Sequence, residues 1–129
     1  MDNIYKVLNL DEWKLASNNG FIITELDQKD GFVHLSTSRQ LATSLALYFS
    51  ETEEVVLAQL CYEEIKNNLK LEAVDLNSKR SGAFYHFYGD LDIKYISKVW
   101  NLNRSSFSLP EEVLLQAELP ENNPIKNDG

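Results

Sequence analysis

Gly31-Phe32-Val33-His34-Leu35-Ser36-Thr37, with Gln40 three residues further on, joins a strand signal to a helix start. Phe32 to Leu35 is apolar, partly β-branched and bounded by glycine, which predicts a short strand. Thr37 and Gln40 then form the two ends of a capping box, which opens a helix running to about Ser50. Leu41, Leu45 and Tyr48 or Phe49 recur at helical spacing, so that helix carries one core-facing stripe. Val55 to Leu60 follows as a near-continuous apolar run, the pattern of a central strand. A strand that feeds a capped helix and then a buried strand predicts helices packed on a sheet. The chain's other histidine, His86, stands in a matching setting, Gly82-Ala-Phe-Tyr-His-Phe-Tyr-Gly89. Histidine changes charge near neutrality, and two such contexts suggest two imidazoles aimed at one cleft. The competing reading is two partly buried histidines bonded to backbone or hydroxyl groups.

Outward from this centre, Ile4 to Leu8 reads as an opening strand. Asn9 and Glu12 make a capping box, and the helix through Trp13 and Leu15 stops near Asn18-Asn19-Gly20. Phe21 to Leu26 is extended or helical, and Gln28 to Gly31 reads as a turn. After the buried strand come a short helix over Tyr62 to Asn67 and an alternating strand over Leu69 to Val74. A polar loop, Asn77 to Gly82, precedes the second histidine strand. One helical turn at Asp92 to Tyr95 leads into a last strand from Ile96 to Leu102. Glu111 to Ala117 reads as a helix with Pro110 at its start, and Glu121 to Gly129 as a frayed tail. The expected fold is α+β, a single domain whose strongly bent or split, mostly antiparallel sheet carries two main helices.

At 129 residues, with 43% hydrophobic and 11% aromatic content, the chain suits one globular domain with its own core. The single cysteine, Cys61, has no internal partner for a disulfide and is read as structural, which points to a reducing cytosol. No apolar run reaches the about 20 residues that span a bilayer, and Met1-Asp-Asn-Ile-Tyr5 lacks the regions of a secretion signal. A cytoplasmic protein without membrane partners is therefore expected. The net charge of −8 and the scattered basic residues argue against long nucleic acids. The densest basic pair, Lys79-Arg80, suffices for one phosphate or carboxylate. Two isolated histidines and no cysteine pair make no metal site.

Ile4-Tyr5-Lys6, Glu12-Trp13, Gly31 to Thr37, Leu71-Glu72 and His86-Phe-Tyr-Gly89 resemble, in order, the domain of unknown function 952 family of bacteria and plants. The resemblance covers roughly residues 1–103, and leaves 104–129 as a C-terminal extension with a short helix and flexible tail. It implies an ADP-ribosyltransferase-like fold, with the RNA 2′-phosphotransferases as the nearest-looking relatives; those share Val33-His-Leu-Ser36, the helix after it and a Val-rich strand such as Val55-Val-Leu57. It implies no activity by itself. Such transferases place a His-Gly pair in the first strand against the ribose of NAD, where this chain has Tyr5-Lys6-Val7. Their late-strand glutamate is replaced here by His86 and Tyr88. An oxocarbenium-like transition state needs a carboxylate nearby, and Glu72 is the motif residue that can supply one. NAD thus stands as a possible cofactor that the first-strand motif does not support.

The candidate catalytic residues are His34, His86 and Glu72, the last pairing with one imidazole or serving only as a solvated strand-edge charge. Tyr5, Ser36, Thr37, Arg80, Tyr88 and Gly89 are candidate ligand-binding residues. Ser36 and Thr37 stand at a helix start, where free N–H groups and the dipole suit an anion; a cap alone also explains Thr37. Tyr88 and Gly89 line a pocket or form a buried aromatic and a turn. Trp13 and Trp100 are read as core. Two functions follow. One is an enzyme or transferase acting on a nucleotide-like or phosphorylated small molecule in a His34/His86 cleft. The alternative is a non-catalytic ligand-binding or protein-interaction module on the same fold.

Overall fold

Strand β1 (Asn3–Asn9) is buried along nearly its whole length, because it separates two cores. Its side chains alternate between faces. Ile4 and Leu8 enter a core with Ile22, Val33, Leu35, Leu60, Phe87 and Leu91, whereas Tyr5 and Val7 enter another with Leu41, Leu45, Val55, Leu57, Leu102 and Val113. The computed structural model describes residues 3–48, 52–73, 83–103 and 111–118.

Helix α1 (Leu10–Asn19) starts at the expected capping box. The Glu12 N–H donates to Asn9 Oδ1 and the Asn9 N–H to Glu12 Oε1, both at 2.8 Å. Strand β2 (Phe21–Ile22) follows, and then helix α2 (Glu25–Asp30), which corrects the expected turn at Gln28 to Gly31. The overlooked signal is Thr24 with Asp27. The Asp27 N–H donates to Thr24 Oγ1 at 3.1 Å and the Thr24 N–H to Asp27 Oδ2 at 3.0 Å, a capping box with aspartate in the glutamate place. Gly31 is the left-handed C-cap (φ 86°), not a turn residue after a loop.

Strand β3 (Val33–Leu35) leads through a 3-10 turn (Ser38–Gln40) into α3 (Leu41–Tyr48), whose Leu41 and Leu45 are buried. At that start the Thr37 N–H donates to Gln40 Oε1, while the Gln40 N–H goes to Thr37 O, both at 3.0 Å. Thr37 Oγ1 is left buried without a hydrogen-bond partner among the described residues. Strand β4 (Glu54–Cys61) is central in an antiparallel sheet β1-β4-β8. Helix α4 (Tyr62–Ile65) and a 3-10 turn (Lys66–Asn68) connect it to β5 (Leu69–Ala73). Strands β6 (Ala83–Phe87), β7 (Leu91–Asp92) and β8 (Ile96–Asn103) complete the sheets.

All strand pairs among the described residues are antiparallel: β1-β4-β8, β2-β7 and β3-β6-β5. The expected split sheet takes the form of these three pieces. The first and third are joined by one bridge, where Tyr5 and Ser36 exchange N–H···O bonds of 2.8 Å in both directions. Helix α5 (Glu111–Glu118) belongs to the C-terminal extension, yet it packs on the second core: Val113 is fully buried, and Gln116 Oε1 accepts from Tyr5 Oη at 2.8 Å. Trp13 packs on the first core and Trp100 on the second. The expected loop at Asn77 to Gly82, Pro110 and the tail lie outside the described residues.

Candidate functional site

Register places the two histidines directly opposite each other. His34 of β3 pairs with His86 of β6, and His86 pairs with Lys70 of β5. Val33, Leu35 and Phe87 point into the first core, so alternation puts His34, His86, Lys70 and Glu72 together on the other side of this sheet. The imidazole centroids are 5.5 Å apart in an edge-on arrangement. Phe32 stacks on His86 at 3.9 Å and 20°, and lies 4.8 Å from His34 and 5.4 Å from Tyr88.

Each imidazole has a carboxylate on Nδ1. His86 Nδ1 lies 2.6 Å from Glu72 Oε1, and Tyr88 Oη donates to the same oxygen at 2.7 Å. Glu72 is opposite Phe84, so it reaches His86 along the sheet diagonal. The hydroxyl of Tyr88 and the ring of His86 hold the Glu72 carboxyl below its usual range, and the carboxylate in turn raises the Tyr88 phenol. A carboxylate accepts hydrogen bonds, so in neutral His86, a buried ring, the proton sits on Nδ1 and Nε2 carries the lone pair. Lys70 Nζ stands 5.0 Å from the Tyr88 ring centroid and brings a positive charge to this face.

His34 Nδ1 lies 2.7 Å from Asp27 Oδ1, and its Nε2 lies 2.8 Å from Asp30 Oδ2. Asp27 is fully buried and also accepts from the N–H groups of Thr24 and His34. Lys6 Nζ, buried opposite the small Ala58, lies 3.0 Å from Asp27 Oδ2 and donates to His34 O at 3.1 Å. Burial opposes the Asp27 charge, but His34 and Lys6 outweigh it and bring the carboxyl down to about 2. Burial also lowers the Lys6 ammonium, against the pull of Asp27. One buried aspartate thus fixes helix α2, strand β1 and the His34 ring at once.

The predicted residues divide accordingly. His34, His86, Glu72 and Tyr88 share one face. Gly89 follows it as a turn residue at φ 115°, where an added Cβ would meet Asn68 Nδ2 at 3.4 Å. Ser36 is bonded elsewhere, its Oγ 3.0 Å from Ser44 Oγ, and Thr37 is buried at the helix start. Tyr5 lies fully buried in the second core, bonded to Gln59 and Gln116, with burial pushing its phenol up to about 12. Its side chain thus points into the second core, on the face of β1 opposite to Lys6. Arg80 and Lys79 lie outside the described residues. Sequence reading missed Lys6, Asp27, Asp30 and Phe32. The Thr24/Asp27 cap was the available signal, since it brings Asp30 four residues before His34 at the end of a helix. Among the described residues no group of three or more metal-ligating side chains is present, and no helix is long and apolar enough to cross a membrane.

Antiparallel sheets with a paired-histidine face define the class as an α+β domain. The chain belongs to the family described as protein of unknown function (DUF952), which it matches over residues 7–99. It is similar to the crystal structure of protein CC0527 from Caulobacter crescentus, at 30% identity and a TM-score of 0.70, over 78% of this chain and 86% of that one. The solution NMR structure of CC0527 gives 31% identity and a TM-score of 0.66, over 78% and 84%. Comparison with curated proteins returns no match. Helix α5 lies beyond the family match.

Proposed function

We propose that the histidine face binds a nucleotide-like or phosphorylated small molecule and acts on it by proton transfer, with His86 as the base or acid. The observation that carries this reading is the 2.6 Å contact of His86 Nδ1 with Glu72, beside a stacked Phe32. A carboxylate behind an imidazole fixes its tautomer and supports the charged form that proton transfer creates. Phe32 and Tyr88 offer flat apolar surface for a base or sugar, and Lys70 offers charge for a phosphate. The ADP-ribosyltransferase-like architecture implied by Val33-His-Leu-Ser36 belongs to this proposal, and makes a transferase the favoured reaction class.

Covalent catalysis has less support, because neither imidazole hydrogen-bonds a serine, threonine or cysteine among the described residues. NAD chemistry has less support as well. At the first-strand place, Lys6 is locked in a buried ion pair and Tyr5 is turned into the other core. The test is calorimetric titration of NAD, ADP-ribose and a 2′-phosphorylated dinucleotide, with product analysis of whichever binds. Binding that survives in His86→Ala while turnover disappears is the expected result. Turnover that persists in His86→Ala overturns the role of His86, and silence from all three ligands with folded protein removes the ligand class.

A further inference from the structure

The two carboxylates on His34 differ in standing. Asp27, on Nδ1, is fully buried and already accepts from Lys6 and from the backbone of Thr24 and His34. Asp30, on Nε2, has a side chain 35% exposed, and His34 is its hydrogen-bond partner among the described residues. It is the last residue of α2, the end at which a helix disfavours negative charge. The helix therefore gains nothing from an acid there. Both contacts are hydrogen bonds only when the ring carries a proton on each nitrogen. Nε2–H is then a charged donor on the outer side of the ring, whose side chain is 26% exposed.

We propose that Asp30 is a tethered stand-in for the ligand's anionic group: the site receives a phosphate or carboxylate oxygen on His34 Nε2, and Asp30 leaves as it enters. The assignment rests on reading the histidine face as a ligand site, and it adds the atom that takes the anion and the residue that opposes it. A tethered carboxylate competes at high effective concentration. It lowers the apparent affinity by the fraction of molecules whose Nε2 it occupies. Rotation of the Asp30 side chain at the surface is all that release requires, whereas Asp27 cannot leave without breaking the Lys6 pair and the α2 cap. The oxyanion seat thus lies at Nε2 and not at Nδ1.

The test titrates the full chain with sodium phosphate and with sodium acetate while following the His34 ring nitrogens by NMR. Wild type, Asp30→Ala and Asp30→Asn are compared, the last retaining the shape of the side chain should the alanine variant fold poorly. The expected result is a shift at Nε2 whose midpoint is at least about tenfold lower in the folded variants than in wild type. The anion with the lower midpoint identifies phosphate or carboxylate as the group received. An unchanged or higher midpoint in a folded variant, or no response at Nε2, overturns the assignment. Nucleotide binding by wild type that does not tighten in Asp30→Ala would sink this assignment and leave the proposed function standing. A phosphate seat at Nε2 without nucleotide affinity would do the reverse.

Discussion

At the scale of single residues, Asp27 is where fold and site meet. Its carboxylate receives hydrogen bonds from helix α2, strand β1 and the His34 ring, so its ionisation is tied to folding. The folded group lies at about 2 against an ordinary value of 3.8. A depressed carboxyl contributes stability that is present above the unfolded value and lost as pH falls through the folded one. The native state should therefore lose about 2 kcal/mol between pH 4 and pH 2 from this group alone. Denaturant melts over that range check it. Asp27→Asn should be less stable near neutrality and should show a flatter acid limb, and an equally steep limb in the variant would assign the acid loss to other carboxylates. Lys6 is held by the same logic: a buried ammonium is tolerable here because two oxygens of Asp27 and the carbonyl of His34 surround it.

At the scale of elements, the strands around the histidines were legible because alternation, glycine and β-branching coincide in them. Strands β4 and β6 follow from Val55 to Leu60 and from Gly82 to Gly89. Helix α2 was not legible: it spans only Glu25–Asp30, and Gln28-Lys-Asp-Gly31 has the composition of a turn. Missing that helix concealed Asp27 and Asp30, and with them the partners of His34. Glu72 was legible as a candidate, but its contact with His86 depends on the β5–β6 register, which local sequence does not set. Tyr5 was misleading because β1 is buried on both faces, so motif position did not give its facing. Gly89 turns the chain after Tyr88 at positive φ, next to Asn68, whose Nδ2 donates to Tyr88 O at 2.7 Å. Gly89→Ala should cost about 1–2 kcal/mol in thermal or denaturant melts, from left-handed strain. A neutral result would show that this turn relaxes without its glycine.

At the scale of the molecule, β1 carries the sheet of the second core on one side and Lys6 toward the histidine sheet on the other. The Tyr5–Ser36 bridge and the Lys6–Asp27 pair are the joints between the two. Helix α5 closes the second core from outside the family match, through buried Val113 and the Gln116 bond to Tyr5. The architecture sets β6 against β5 so that Glu72 reaches the Nδ1 edge of the His86 ring, the arrangement on which the proposed proton transfer depends. The most direct measurement is the tautomer of neutral His86, read from ring 15N shifts and couplings in the full chain. The proton is expected on Nδ1 in wild type, with that preference lost in Glu72→Gln. A proton on Nε2 in the wild-type protein would contradict it.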